Sequence, residues 1–284
     1  MFWAYLALAG RIILLGYEKI LVRQLGEEAE SESATFLYFC ISMIFFTPCM
    51  FWAPAPADYN FVIYSAVSSA IYCLAFLLYV RSLSTGEVSL VSPLYNFNVF
   101  FLLLLTAFFL GEKITILKVT GLSVLLYGAS FLSRQRGILS SLKAIFKNHA
   151  CVLMIICSFF MAIGRTIDGF VLKTTGPLVY GFSIYLFMTV FLFFYILYKG
   201  KFYKAVDLFK KRRAITLKAG AVNAYTYLFL LYAIARIDVS VAEPASMLSM
   251  IVTVFLSKLI LNEDISGRLT GVLIMIAGAW ALFL

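Results

Sequence analysis

Long and nearly uninterrupted runs of apolar residues alternate with short polar connections along this chain. An α-helix needs about 20 apolar residues to cross the hydrocarbon core of a bilayer. A transmembrane barrel would instead show shorter segments in which apolar and polar residues alternate. The pattern therefore predicts an all-α polytopic membrane protein with ten transmembrane helices, called segments 1 to 10. They are residues 2–22, 34–53, 60–82, 87–110, 114–132, 150–172, 177–198, 213–235, 239–261 and 265–283.

The composition fits a chain whose main solvent is lipid. Of 284 residues, 63% are hydrophobic and only 13% are charged, whereas roughly a quarter of the residues in a soluble domain are charged. Segment 1 carries Arg11, Glu18 and Lys19 and lacks the basic start and cleavage site of a signal peptide, so we predict a membrane helix there. The 5 cysteines lack metal-ligand spacing and are expected to be small buried side chains. No cofactor and no metal are expected.

The net charge of +9 is concentrated in the connections after segments 5 and 7. Beside membrane helices, such basic clusters act as topology signals or contact anionic lipid, so we expect membrane lipids and no nucleic acid as partners. The odd-numbered connections carry more Lys and Arg than the even-numbered ones. Because basic loops stay in the cytoplasm, this bias predicts that both termini lie on the opposite side of the membrane.

Segments 4 and 9 share a pattern that indicates an internal duplication. Alignment of the two places Pro93 on Pro244 and Glu112 on Glu263. The predicted organisation is a five-helix repeat over residues 1–135, a basic connecting loop over 136–149 and a second repeat over 150–284. Because five is odd, the second repeat enters the membrane from the opposite side. Inverted repeats of this kind are typical of secondary transporters, whose substrate site lies near mid-depth between the halves.

The repeated pattern of a proline, an apolar run, a glutamate and a glycine-containing helix resembles the EamA-type repeat of the drug/metabolite transporter superfamily. The matching residues are Pro93, Gly111, Glu112, Gly121 and Gly128, and then Glu243, Pro244, Glu263, Gly271 and Gly278. The resemblance implies a ten-helix transporter that moves a small metabolite, often outward, through a cavity lined mainly by segments 3, 4, 8 and 9. It also implies termini inside the cell, against the charge bias. Segment 1 departs from the family pattern, because "LLGYEK" stands where a Trp-Gly pair is common.

Ionisable residues inside the segments are candidates for function, since each costs about 2.5–3.5 kcal/mol at a helix centre. Arg165 and Asp168 are neighbours on one helix face, either as a structural ion pair or as part of a site. With Arg11 and Glu18 they are expected to form a charge cluster that serves as a gate or as part of the substrate site. For Lys19 and Lys173 we predict that the side chain extends to the membrane interface.

Glu243 aligns with Ser92 in the duplication. It is predicted either to cap the helix that follows it or to bind a cation or a proton at the mouth of the cavity. Further substrate-binding candidates are Tyr72, Tyr79, Ser92, Asn96, Asn223 and Tyr227, and we prefer Asn96 to Asn98 because ideal helical spacing allows only one of them to face the cavity. Glu112 and Glu263 are predicted to cap the turns into segments 5 and 10.

The chain offers no histidine within a segment to act as a base, so we expect no enzyme. The expected function is a secondary active transporter in the plasma (inner) membrane that exports a small polar metabolite such as an amino acid. Protons are a candidate coupling ion for this transport. An arginine, Arg11 or Arg165, would hold its carboxylate and Glu243 its amine. Two alternatives stay open. One is a carrier of an anionic phosphate compound or a lipid-linked phosphate, and the other is a non-transporting membrane scaffold.

Overall fold

The computed structural model describes residues 2–27, 30–53, 59–110, 115–133, 137–172, 174–234 and 245–281, and every regular element in these ranges is helical. The helices are α1 (Phe2–Gly26), α2 (Ser31–Phe46, continued by a 3-10 helix over Thr47–Trp52), α3 (Phe61–Thr85), α4 (Val88–Val91, followed by a 3-10 helix over Ser92–Asn96), α5 (Phe97–Leu110), α6 (Ile116–Ser130), α7 (Ile138–Lys147), α8 (His149–Val171), α9 (Pro177–Tyr198), α10 (Phe202–Lys211), α11 (Arg213–Ile234), α12 (Ser249–Leu261) and α13 (Arg268–Ala281).

The helices make this chain an integral, multi-pass membrane protein. In the described part of the chain, four helices are long and apolar enough to span a membrane: Ser31–Trp52, Phe61–Thr85, His149–Asp168 and Pro177–Tyr198. Shorter apolar helices and the charge-bearing α1 and α11 occupy the other predicted segments. The count of ten spans therefore stays a prediction. The connection expected as a basic loop is not a simple loop, because it contains the amphipathic helix α7.

Segment 4 does not form one continuous α-helix. The four-residue α4 ends in a 3-10 helix that contains Pro93, and α5 follows it. Proline lacks an N–H group and its ring clashes with the carbonyl four residues earlier, so it interrupts regular α-helical hydrogen bonding. Segment 9 shows a related irregularity before α12, where the N–H groups of Leu248 and Met250 bond to the carbonyls of Ala245 and Met247, three residues back. Residues of both interruptions, Asn96 and Met247, line one cavity.

The same helix contacts occur twice in the molecule, with the roles of the two halves of the chain interchanged. Helix α3 of the first half packs on α8 of the second half, and the equivalent helix α11 of the second half packs on α1 of the first. The pair α2 and α11 likewise corresponds to α9 and α3, and the pair α1 and α12 to α8 and α5. Two further contacts, α2 with α9 and α6 with α13, join equivalent helices of the two halves. The duplicated sequence pattern is therefore matched by duplicated packing.

Glycines allow α6 and α13 to approach closely. A methyl group placed on Gly128 would lie 2.8 Å from the carbonyl oxygen of Gly271, and one placed on Gly278 would lie 2.5 Å from the backbone nitrogen of Leu125. These neighbours are backbone atoms and cannot rotate away, so any larger residue would push the two helices apart. This contact explains the role of the glycines that mark the repeated pattern.

The odd-numbered connections meet on one side of the molecule, which we call the odd face. There the ammonium of Lys201 lies 2.7 Å from the Glu30 carboxylate, and the Arg212 guanidinium donates to the Gln24 carbonyl at 2.6 Å. The Arg23 guanidinium donates to the Leu83 carbonyl at 3.2 Å. The connections after segments 1, 3 and 7 are thus tied together by polar contacts. The amphipathic helices α7 and α10 follow segments 5 and 7, so they belong to connections of the same parity.

Candidate functional site

A central cavity lies between the two halves of the chain. It offers about 100 Å³ to the centres of water-sized molecules, and one water needs roughly 10–15 Å³ by this measure, so several waters or a small solute fit. The lining comes from α1, α2, α3, α5, α8, α9, α11, α12, the 3-10 helix of segment 4 and residues Ser246 and Met247 of segment 9. Nine of the residues predicted for the site line it: Arg11, Glu18, Tyr72, Tyr79, Asn96, Arg165, Asp168, Asn223 and Tyr227.

Two predicted site residues are not among those that line the cavity. Ser92 is fully buried in the 3-10 helix of segment 4, and its hydroxyl has no hydrogen-bond partner among the described residues. Glu243 lies outside the residues that the structure describes. Its role stays a prediction.

Side chains of α3, α9 and its own helix α8 contact the carboxylate of Asp168. Its carboxylate accepts hydrogen bonds from the hydroxyls of Tyr72 at 2.5 Å, Tyr180 at 2.6 Å and Ser68 at 3.0 Å. The guanidinium of Arg165, one turn earlier on α8, lies 3.7 Å away, so the intrahelical ion pair is present. An ionised carboxylate has acceptor sites only, and this donor set suits it. Asp168 therefore joins α8 to α3 and α9.

Arg11 connects α1 to segments 8 and 9. The guanidinium donates through Nε to the Ser246 hydroxyl at 3.0 Å and through Nη1 to the Thr226 carbonyl at 3.2 Å. Both contacts bridge residues far apart in the chain, so spacing along one segment could not have predicted them. The only sequence signal for Ser246 was its place just after Pro244, at the start of segment 9.

Glu18 and Lys19 form a second polar group on α1. The Glu18 carboxylate accepts a hydrogen bond from the Tyr38 hydroxyl at 2.5 Å. The prediction that Lys19 extends to the membrane interface is wrong, because its side chain is only 2% exposed and lines the cavity. Its ammonium lies 5.7 Å from the centre of the Tyr95 ring, a cation–π contact. Lys19 lies in the stretch of α1 over residues 18–22, whose side chains are all buried, and α1 packs on α3, α11 and α12. Lys173 lies outside the described residues.

Among the described residues, the lining carries an excess of positive charge. Its cations are Arg11, Lys19 and Arg165, and its carboxylates are Glu18 and Asp168. On α1, the positions of Arg11 and Glu18 differ by about 10 Å along the helix axis, so charges of opposite sign are distributed along the depth of the cavity. Such a lining favours a solute with an anionic group and tolerates a cationic one at a second position.

Three buried polar atoms of the lining have no hydrogen-bond partner within the described residues: Asn96 Nδ2, Asn98 Oδ1 and Thr226 Oγ1. Leaving a buried donor or acceptor unpaired costs about 1–3 kcal/mol, so these atoms are suited to water or to a bound solute. The expectation that only one of the two asparagines faces the cavity is wrong. The helix changes from 3-10 to α winding at Phe97, so ideal α-helical spacing does not apply across this stretch.

Contrary to the prediction, Glu263 does not cap the turn into segment 10. Its carboxylate accepts the backbone N–H groups of Val88 at 2.7 Å and Ser89 at 2.8 Å, at the start of α4 in the other half. The first N–H groups of a helix have no partner within it, so a carboxylate is stabilising there. Asp264 performs the predicted turn-capping role, since it accepts the Ser266 N–H at 2.9 Å. Glu112 lies outside the described residues.

Arg268 completes this cross-repeat contact, which we call the odd-face clamp: Glu87, Ser89, Glu263 and Arg268. The Arg268 side chain is almost fully buried, and its guanidinium donates to the Glu87 carboxylate and the Ser89 hydroxyl. Arg268 falls within predicted segment 10, and the sequence pattern did not indicate this role. The clamp ties the connection after segment 9 to the start of segment 4 on the odd face.

Comparison with known proteins identifies the family of this chain and a solved structure with a similar fold. The sequence profile described as the EamA-like transporter family matches residues 1–134 and 148–284. No curated protein matches the chain. A solved structure described only as "Crystal structure of protein" aligns with a TM-score of 0.60 and 14% identity, over 98% of this chain and 95% of that one. At this identity the alignment shows a shared fold alone.

Proposed function

The chain belongs to the EamA-like transporter family of the drug/metabolite transporter superfamily, and from this premise we propose a secondary active transporter that exports a small polar metabolite. An amino acid is the solute that the lining suits best. The protein works in the plasma (inner) membrane, has no catalytic step of its own and moves its solute by alternating access.

Two features of the packing support alternating access between inverted repeats. Helix contacts are exchanged pairwise between the halves, and both segment 4 and segment 9 are irregular where they pass the cavity. In transporters with inverted repeats, discontinuous helices near mid-depth form the site, and one repeat moves against the other around it. We therefore keep ten spans and an inverted relation between residues 1–135 and 150–284 as part of the proposal.

The main support for an amino acid as the solute is that one cavity contains both cationic and anionic side chains. Arg11 binds the carboxylate of the amino acid, because its guanidinium suits a carboxylate and the hydroxyl of Thr226, next to it, has no partner among the described residues. Glu18 accepts one hydrogen bond, from Tyr38, and so retains acceptor sites for an amine. Asp168 already has three hydroxyl donors and a guanidinium, so it positions the helices. Glu243 keeps its proposed role at the cavity mouth, for the amine or for a proton.

The proposal is tested by solute counterflow in liposomes with labelled amino acids. Arg11→Gln removes the cation but keeps a side chain of similar length, and loss of one partner in a buried charge pair costs about 2 kcal/mol or more, which corresponds to roughly 30-fold weaker uptake at low solute. Arg81→Gln is the matched control, because Arg81 lies on α3 but is exposed. Equal uptake by Arg11→Gln and the control would contradict the proposed site.

The excess of cations in the lining favours a second candidate, an anionic phosphate compound or a lipid-linked phosphate. Arg11, Lys19 and Arg165 would then share the phosphate, as basic side chains commonly do. The same liposomes, assayed with a sugar phosphate as competitor, separate the two: inhibition by the phosphate and none by amino acids selects the second candidate. A protein without flux or saturable binding for either class would be the scaffold alternative.

A further inference from the structure

We propose that the groove between α2, α9 and α10 binds one acyl chain of an anionic phospholipid whose headgroup lies against the basic end of α10. The groove has a volume of about 590 Å³, within the range of ligand pockets in proteins, about 300–1,000 Å³. Its walls include Phe36 and Cys40 from α2, Val190 and Phe194 from α9 and Val206 from α10. This proposal is independent of the solute that the protein transports.

The groove exists because α10 is amphipathic and does not pack flush against the membrane helices. Phe202, Val206 and Phe209 follow each other at helical spacing on the side that faces α2 and α9. The opposite side carries lysines, so the helix has the character of one that lies in the membrane interface. The groove is open at the surface of the molecule, and Val190, Phe194 and Val206 expose part of their side chains there.

The chemistry of the walls selects the occupant. Except for Thr189, every side chain of the lining is apolar or a cysteine, and water in a cavity needs two to four polar partners. An acyl chain from the surrounding leaflet needs no polar partners, and van der Waals contacts with the apolar walls can hold it. A second copy of this chain is disfavoured, since the same basic end of α10 would be brought close to its own equivalent.

The headgroup is assigned by the basic residues that remain available around α10. Lys201 and Lys204 bind the Glu30 carboxylate, and the hydrogen bond from Lys201, with that from Lys204, lowers the pKa of Glu30. Lys210 and Arg213 are exposed, one residue and four residues after the groove-lining Phe209. Neither makes a hydrogen bond or an ion pair with the described part of the chain. They are placed to hold a phosphate beside the groove.

The charge bias of the connections supports an anionic lipid over a neutral one. It predicts that the odd-numbered connections face the cytoplasm, and the cytoplasmic leaflet is the one rich in anionic lipid. α10 leads directly into α11, which contributes Asn223, Thr226 and Tyr227 to the central cavity. Lipid bound at α10 therefore contacts the element that precedes a cavity-lining helix.

The test uses the purified full chain in detergent, titrated with phosphatidylglycerol or with phosphatidylcholine of the same acyl chains and analysed by native mass spectrometry. We expect one phosphatidylglycerol to be retained in preference. The double variant Lys210→Gln/Arg213→Gln should bind it roughly 30-fold more weakly, the change that corresponds to about 1 kcal/mol for each basic residue. The control Lys143→Gln/Lys147→Gln removes two charges from α7 and should bind it normally.

A groove-filling variant separates the acyl chain from the headgroup. Val206→Trp should abolish retention of both lipids, whereas Val67→Trp, at an exposed position of α3, should change neither. Equal retention of the two lipids, or equal losses in the two double variants, would overturn the proposal. Dimers that disappear on Val206→Trp would also overturn it, because they would make the groove an interface between copies. If Val206→Trp does not fold, the two surface double variants still decide the question.

Discussion

Asp168 provides a quantitative test of the site, through the double-mutant cycle of Asp168→Asn and Tyr180→Phe. The Tyr180 hydroxyl donates to the Asp168 carboxylate at 2.6 Å, and both side chains are buried. A hydrogen bond to a charged group contributes about 1.5–3 kcal/mol, and one between neutral groups about 0.5–1.5 kcal/mol. Tyr180→Phe should therefore cost about 2 kcal/mol in the wild-type background and about 1 kcal/mol in the Asp168→Asn background, where the partner is a neutral amide.

Asp168→Asn alone should be more costly than the tyrosine change. It weakens three hydroxyl contacts by about 1 kcal/mol each and removes the carboxylate partner of Arg165. A loss of about 3 kcal/mol corresponds to a melting temperature lower by roughly 6–12 °C for a chain of this size class. The hydroxyls of Ser68 and Tyr180 can rotate to accept from the new amide, which limits the loss.

The assay is thermal unfolding of the four proteins of the cycle in one detergent. Coupling between contacting residues appears as a departure from additivity, here about 1 kcal/mol. Tyr185→Phe is the control, because the Tyr185 hydroxyl donates to the backbone carbonyl of Asn223 and not to a carboxylate. If Tyr180→Phe lowers the melting temperature equally in both backgrounds, the hydroxyl is not bonded to the Asp168 carboxylate and the reasoning fails.

Three further predictions concern packing and the odd face. Glu263→Gln should destabilise the protein by about 1–3 kcal/mol, because glutamine keeps one acceptor oxygen and its NH2 group cannot accept the second backbone N–H of α4; an unchanged melting temperature would contradict the clamp. Gly278→Ala should cost about 1–3 kcal/mol by forcing α6 and α13 apart, whereas Gly10→Ala meets only the movable ring of Phe229 and should cost less in the same melt. The lowered pKa of Glu30 means that its contribution to stability is present above its unfolded pKa of about 4.3 and is lost as the pH falls through the lower folded value. Melting curves of wild type and Glu30→Gln should therefore converge in acid, and a constant difference at all pH values would refute the ion pair.

The larger errors of the sequence-based analysis share one cause. Glu263 was assigned to a turn beside it in the chain, but its partners are backbone groups of α4 in the other half. Lys19 was assigned to the membrane interface, but residues 18–22 of α1 are buried among other helices. Both predictions considered only one helix and its surroundings in sequence. A side chain at a helix end can reach a neighbour that no local pattern identifies.

The placement of the candidate residues could be predicted in part from the sequence. Arg11, Glu18, Arg165 and Asp168 were selected because ionisable groups are costly within membrane helices, and all four line one cavity. Their partners were not predictable, since Tyr38, Ser246 and Tyr180 become neighbours only when α1 and α8 pack against other helices. The free-energy cost of an ionisable group inside the membrane identifies which residues need a partner, but the identity of the partner depends on helix packing.

The sequence by itself determined the all-helical membrane character, the duplicated pattern and the family, because each follows from local runs whose lengths and spacings do not depend on the rest of the fold. Tertiary structure alone decided that Asp168 is held by α3 and α9, that Glu263 caps a helix of the other half and that α10 leaves an apolar groove. Those features depend on which helices pack together. Helix packing is a property of facing surfaces, and a linear pattern does not say which surface meets which.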